Sequence, residues 1–184
     1  MRLLRYTLCA VIVLAVASPS MAFNGKRKGF VLGGGLGVAP VARIESEGID
    51  ESRVGFASNF LIGYGWDEQN LLVFEGNGTT FKPDTDLDVT FSQGFAGPTW
   101  YHYFKPVAPT FFTVAGVGFY SFWYDIEDGE EDSNDSGLGL MGGVGYEFAR
   151  HWQVSFVVNG GKTDGPINDV THLNVEVLIG GVAF

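Results

Sequence analysis

The sequence of 184 residues has a single cysteine, Cys9, and it lies within the first 22 residues. From residue 23 onward there is no thiol, which excludes disulfides, thiolate metal sites and cysteine nucleophiles. Histidine is nearly as scarce: His102, His151 and His172 are the three, and no two have the spacing of a metal-ligand pair. Positive charge is in short supply, with 11 Lys and Arg against 21 Asp and Glu and a net charge of -10. Such a chain repels nucleic acid, whose binding rests on neutralising phosphates. Beyond residue 22 no stretch is apolar over the roughly 20 residues that a spanning helix needs.

Residues 1–22 have the pattern of a secretory signal peptide. Arg2 and Arg5 give a positive start, 8–17 is apolar apart from Cys9, and Ser20-Met21-Ala22 is a small-x-small cleavage site. Cys9 stands at the start of the apolar run, whereas a lipoprotein signal places its cysteine after it. Cleavage is expected to leave 23–184 as one domain. Loss of Arg2 and Arg5 takes the net charge from -10 to -12.

Glycine, at 27 residues, and aromatics, at 15%, are what the chain has in plenty. Together with few charges they favour an all-β protein. Alternation of period two is the main signal. Over 30–38, Phe30, Leu32, Leu36 and Val38 share one face and Val31, Gly33, Gly35 and Gly37 the other. Over 54–66, Val54, Phe56, Phe60, Ile62, Tyr64 and Trp66 oppose Gly55, Ala57, Asn59, Leu61, Gly63 and Gly65. The pattern recurs over 138–148 and 152–161, and with less clean faces over 71–76, 87–104, 110–124 and 172–184. A soluble sandwich would carry charges on its wet face; here the smaller face carries glycine, serine and asparagine, as a narrow barrel interior requires. The expected fold is an eight-stranded antiparallel up-and-down transmembrane β-barrel.

The connections alternate as well. Those at 67–70, 105–109 and 149–151 are short, and those at 43–53, 77–86, 125–136 and 162–171 are longer. Short periplasmic turns and longer external loops are the rule for outer-membrane barrels, so both ends of the chain are expected on the periplasmic side. Of the 21 Asp and Glu, 16 fall in or beside the long connections. Trp66, Trp100, Tyr101, Tyr103, Phe104, Tyr146, Phe148 and Trp152 gather at the short turns, and Phe122, Trp123 and Tyr124 at the opposite end, which reads as two aromatic girdles. In 172–184 the parity of the apolar residues breaks at Gly180-Gly181, where a bulge would return Phe184 to the lipid face.

The opening GFVLGGGLGVAP, the turn GYEFARHWQVSF and the ending VEVLIGGVAF resemble the small outer-membrane β-barrel domain proteins of the OmpX, OmpA-barrel and opacity type. The resemblance runs from about Gly29 to Phe184. It implies a place in the Gram-negative cell outer membrane, in contact with outer-membrane lipid and lipopolysaccharide. It also implies that Phe184, ending an amphipathic last strand, is the signal read by the outer-membrane assembly machinery. Val182 and Leu178 fit the spaced apolar positions of that signal, and Glu176 departs from them.

Motifs that would carry chemistry are weak. Gly137-Leu138-Gly139-Leu140-Met141-Gly142 matches a dinucleotide fingerprint, but it lies inside an alternating strand instead of between a strand and a helix. The Asn77-Gly78-Thr79 and Asn134-Asp135-Ser136 sequons read as plain loop residues. Asp125, Glu127, Asp128, Glu130, Glu131, Asp132 and Asp135 make an oxygen-rich loop whose register fails the EF-hand pattern. A solvated, self-repelling loop is its simpler reading; weak binding of divalent cations, which also bridge lipopolysaccharide phosphates, is the alternative. Glu75, Glu147 and Glu176 are expected to face the lumen with no strand-interior Arg or Lys to pair with, satisfied by water and by Asn59, Gln153, Ser155, Asn159 and Asn174. His102 reads as a girdle residue and His151 as a turn residue. His172 lacks the His-x-Ser of barrel lipid A deacylases. The expectation is a non-enzymatic barrel without cofactor, in a structural role or meeting an external ligand of its acidic loops. A narrow channel or carrier of small apolar ligands, and an outer-membrane lipid-modifying enzyme, are the alternatives.

Overall fold

The computed structural model describes residues 25–46, 49–83, 89–126, 134–164 and 169–184. Its elements are β1 (Gly29–Ser46), β2 (Ile49–Gly65), β3 (Asn70–Phe81), β4 (Val89–Tyr103), β5 (Thr110–Ile126), β6 (Asn134–Ala149), β7 (Trp152–Asp164) and β8 (Asp169–Ala183). Each strand pairs antiparallel with the next, and β8 pairs with β1, so the sheet closes on itself in sequence order. Closure leaves no unpaired edge, which is the condition for backbone polar groups to lie in hydrocarbon. Among the described residues no helix is long and apolar enough to cross a membrane.

The outward face is apolar where the sequence alternates. Phe30, Leu36, Val38, Phe56, Phe60, Tyr64, Phe74, Phe119, Leu138, Leu140, Phe156 and Ile179 are all exposed. In β8 this band runs from Leu173 to Ala183, about 33 Å along a strand and about 25 Å across a membrane at the usual tilt. Beyond it the outward residues turn polar in step around the barrel: Ser52 and Asp50 on β2, Lys162 and Asp164 on β7, Thr171 and Asp169 on β8.

Three expectations are corrected here. The long connections are mostly strand: pairing continues as far as Ser46↔Ile49 and Asp164↔Asp169, and Asn77 and Thr79 lie within β3, buried. Beyond the lipid band the outward face turns polar, so large apolar residues no longer mark it, while inward residues such as Ala42, Ile44 and Phe81 stay buried and the ladder continues.

The bulge is not at Gly180-Gly181. Those glycines stay in register opposite Gly35 and Gly34. A Cβ on Gly180 would stand 2.4 Å from the Gly34 carbonyl oxygen, so the pair serves close strand approach. The register shifts instead in β1, between Val38 and Val41 against β8 and between Ala39 and Ala42 against β2. Pro40, which has no N–H for the ladder, lies between them. The buried positions of β1 pass there from Val31 and Ala39 to Ala42 and Ile44. In β8 the parity never breaks: His172, Asn174, Glu176, Leu178, Val182 and finally Phe184 all face inward.

The girdle runs also divide. Trp100 and Phe104 point out while Tyr101 and Tyr103 are buried; Trp123 points out while Phe122 is buried. Consecutive strand residues face opposite ways, so a run of aromatics cannot all join one belt.

Candidate functional site

The interior is a solid column with a plug at each end. At the end where Gly25 donates to the Phe184 carbonyl (3.0 Å), the plug is Arg27. This side chain is 2% exposed and forms an ion pair with Glu147, which is equally buried. Its Nη1 donates to the Glu68 and Lys105 carbonyls at 2.9 and 3.0 Å, so it ties two turns together. The guanidinium lies 4.0 Å from the centroid of the Tyr103 ring and 5.7 Å from that of Phe184. His151, at the β6–β7 turn with φ 72°, packs its ring against Phe184 at 4.4 Å and bonds the Val182 carbonyl. Glu147 thus has the cation that no strand supplies. It comes from the Gly25-Lys26-Arg27-Lys28 segment ahead of β1, a basic run that alternation does not register.

Above this plug Tyr101, Tyr103 and Phe112 pack with Val31, Leu61, Val73 and Phe95. The other two carboxylates sit higher, each in its own shell of donors. Glu75 accepts from Asn59 and from the Tyr101 hydroxyl, both at 2.8 Å. Glu176 accepts from Thr79 (2.8 Å) and Asn159 (2.9 Å). Its Oε2 and the nearby Asn77 Nδ2 are buried without a partner of their own. The network continues through Asn174, which donates to the Tyr120 hydroxyl, and Gln93, which donates to Asn174 and bonds His172. Asn59 and Asn159 do serve the carboxylates, whereas Gln153 is occupied by Tyr103 and Asn174 by its neighbours.

His172 is 2% exposed, stacked on Tyr120, packed on Phe122 and bonded to Thr163. It is a structural bridge with no access for a substrate. Over it Ala42, Ile44, Phe81 and Phe122, with Phe91 and Val170, form the second plug. Between the plugs an interior cavity beside Asn59, Gln153 and Ser155 holds about 10 Å³, room for at most one water.

The remaining sites are at the rims. His102 bonds the Asn70 side-chain oxygen at 2.9 Å beside Trp100 and Phe104. Asp67 Oδ1 accepts from the backbone N–H groups of Gln69 and Asn70, and the Asn70 amide donates to both carboxylate oxygens. The Asn70 side chain first, then the Gln69 N–H, hold the Asp67 carboxyl below the usual carboxylate range. At the opposite end Arg43 pairs with Asp50 and Glu45, Arg53 with Glu51, and Lys162 with Asp169. Glu127, Asp128, Glu130, Glu131 and Asp132 of the acidic loop lie outside the described residues, as do 1–22. Asp135, the second residue of β6, stands opposite Phe122. Among the described residues no three His, Cys, Asp or Glu side chains are grouped to hold a metal.

No motif marks Arg27, Gln93 or Tyr120 as interior residues, and the sequence offers Thr79 as a loop residue and Tyr101 and Tyr103 as girdle residues, whereas all six are buried. For β4 the parity was there to read: Gln93, Phe95, Thr99, Tyr101 and Tyr103 share one face, but Pro98 and the aromatic run obscure it.

The family model for the outer membrane protein beta-barrel domain matches residues 7–178. Among curated proteins none matches in sequence. Among solved structures, Ail, the attachment invasion locus protein of Yersinia pestis, superposes with a TM-score of 0.58 at 15% identity, over 85% of this chain and 99% of that one. Ail has also been solved in complex with the heparin analogue sucrose octasulfate. Neisserial surface protein A superposes with a TM-score of 0.57 at 15% identity, over 83% of this chain and 96% of the other.

Proposed function

Given that this chain belongs to the outer membrane protein beta-barrel domain family, we propose that it is a non-enzymatic barrel whose work is done at its rims. In this reading the acid-rich strand ends opposite Gly25 and Phe184 face outside the cell, in a structural or surface-interaction role. The observation that carries the reading is the filled interior: among the described residues, two plugs, a dense polar network and a cavity of about 10 Å³ leave the lumen no open path for solute and no room for a substrate. A channel or carrier role is disfavoured for the same reason. A lipid-modifying role would find no base in His172, which is enclosed by Tyr120 and Phe122.

The sign of the charge narrows the external partner. Ail binds a polyanion, but the outer end here carries 16 Asp and Glu against Arg43, Arg53, Lys82 and Lys162. Like charge repels a sulfated sugar, so the fitting partners are cationic surfaces or lipopolysaccharide bridged by divalent cations. Export by residues 1–22 and delivery through Phe184 to the assembly machinery complete the proposal. Planar-bilayer recording tests it: the folded barrel is expected to give no steady single-channel currents. Steady currents favour the channel reading, and a gene-dependent change in lipid A mass favours the enzyme.

A further inference from the structure

The end bearing Gly25 and Phe184 reverses the charge of the other. Lys26, Arg27, Lys28, Lys105 and Arg150 stand there against Asp67, Glu68 and Glu147. Of these acids, Glu147 is paired with Arg27, and Asp67 is bound by the donors of its own turn. Lys26, Lys28, Lys105 and Arg150 are exposed. Two of them are anchored. Lys105 has its backbone N–H on Thr110 Oγ1 and its carbonyl on Arg27, and the Arg150 guanidinium lies against Gly25.

Two concavities meet on this rim at Pro109. One, about 520 Å³, opens at the barrel mouth and is lined by Lys26, Arg150, Val107 and Phe148 among others. The other, about 400 Å³, lies on the outward face between Phe104, Phe111 and Tyr146, with Lys105 at its head. Phe111 and Tyr146 meet with ring centroids 4.8 Å apart, tilted by 44°, and line the groove together. Lys105 on the aromatic groove, with Lys26 and Arg150 in the adjoining concavity, gives the rim the polarity of an anionic amphiphile, charged end towards the mouth and apolar part along the lipid-facing band.

We propose that this rim is a binding site for an anionic phospholipid, its phosphate on Lys105 and Arg150 and its acyl chains along Phe104, Phe111 and Tyr146. A soluble anion would use the cations but not the aromatic groove; a zwitterionic lipid would use the groove but gain little from the cations. The site thus reads headgroup charge and chain together. It extends the rim reading above, placing the site on the periplasmic leaflet.

Native mass spectrometry of the folded protein, released from micelles with equal dimyristoyl phosphatidylglycerol and phosphatidylcholine, tests the site. Phosphatidylglycerol is expected to be retained preferentially, also in the presence of inorganic phosphate. Each cation removed, in Lys105→Ala and Arg150→Ala, should lower that preference roughly fivefold, while Lys162→Ala at the other end leaves it unchanged. Equal retention of the two lipids, displacement by inorganic phosphate, or an unaltered preference in the double variant would overturn the proposal. Heat-modifiable gel migration verifies that each variant is folded. Binding in micelles does not depend on which way the barrel faces in the cell. Thiol labelling of Lys105→Cys on intact cells therefore tests the orientation separately, and labelling from outside would refute the leaflet assignment alone.

Discussion

Arg27 is the side chain on which most contacts at the barrel mouth converge: one carboxylate, two turn carbonyls and two aromatic rings. Arg27→Met leaves Glu147 buried without a cation, and we expect a loss of about 3–5 kcal/mol in urea unfolding of the vesicle-embedded protein. Arg27→Met with Glu147→Leu should recover most of that loss, because the cost lies in the orphaned charge. Gly145 offers a test of interior packing. A Cβ there would stand 2.1 Å from the Phe112 ring, and the ring is held by Tyr101 and Tyr103. Gly145→Ala should cost about 1–3 kcal/mol, and Gly76→Ala, where a Cβ meets nothing within 4 Å, should be near neutral apart from backbone effects.

At the level of strands and turns, the β2–β3 connection depends on a charged Asp67. Its carboxyl is held below the ordinary value by donors that favour the ionised form. A depressed carboxyl stabilises the fold above its unfolded pKa of about 3.9, and the contribution fades as pH falls through the folded value. Amide exchange at Gln69 and Asn70 should therefore show no Asp67-dependent change from about pH 8 to 5 and accelerate below about pH 4. Asp67→Asn should remove that acceleration. The same scale shows what was legible in the sequence. β2, β6 and β7 could be read because lipid on one face and close packing on the other impose a period of two. The projecting ends of β1 and β3 could not, since their outward face meets water and their inward face mixes Asn77 and Thr79 with Ala42, Ile44 and Phe81, which blurs the contrast. The facing of Phe184 was misread because apolar residues occupy both faces of the last turn of β8, and only the inward run from His172 to Leu178 fixes the parity. The carboxylates Glu75, Glu147 and Glu176 were placed inside by parity alone, but the partner of Glu147 came from outside any strand.

On the scale of the whole barrel, two independent plugs close the interior, one polar and one apolar. Opening either should not open the molecule. Arg27→Ala is expected to remain silent in planar-bilayer recording, because Ala42, Ile44, Phe81 and Phe122 still close the far end. Steady currents from that single variant would mean that the apolar plug does not seal. The ends also differ in charge, carboxylates beyond one side of the apolar band and Lys and Arg at the other, so the molecule carries a dipole along its axis. The direct contact of Gly25 with Phe184 has a topological consequence: the described chain is almost a ring. A short linker joining those two residues, with new ends cut in the Phe104–Pro109 turn, should give a circular permutant with the same barrel. In that permutant Phe184 would keep its packing against His151 but lie in mid-chain, which separates what the residue does for the folded wall from what it does as the last letter of the sequence.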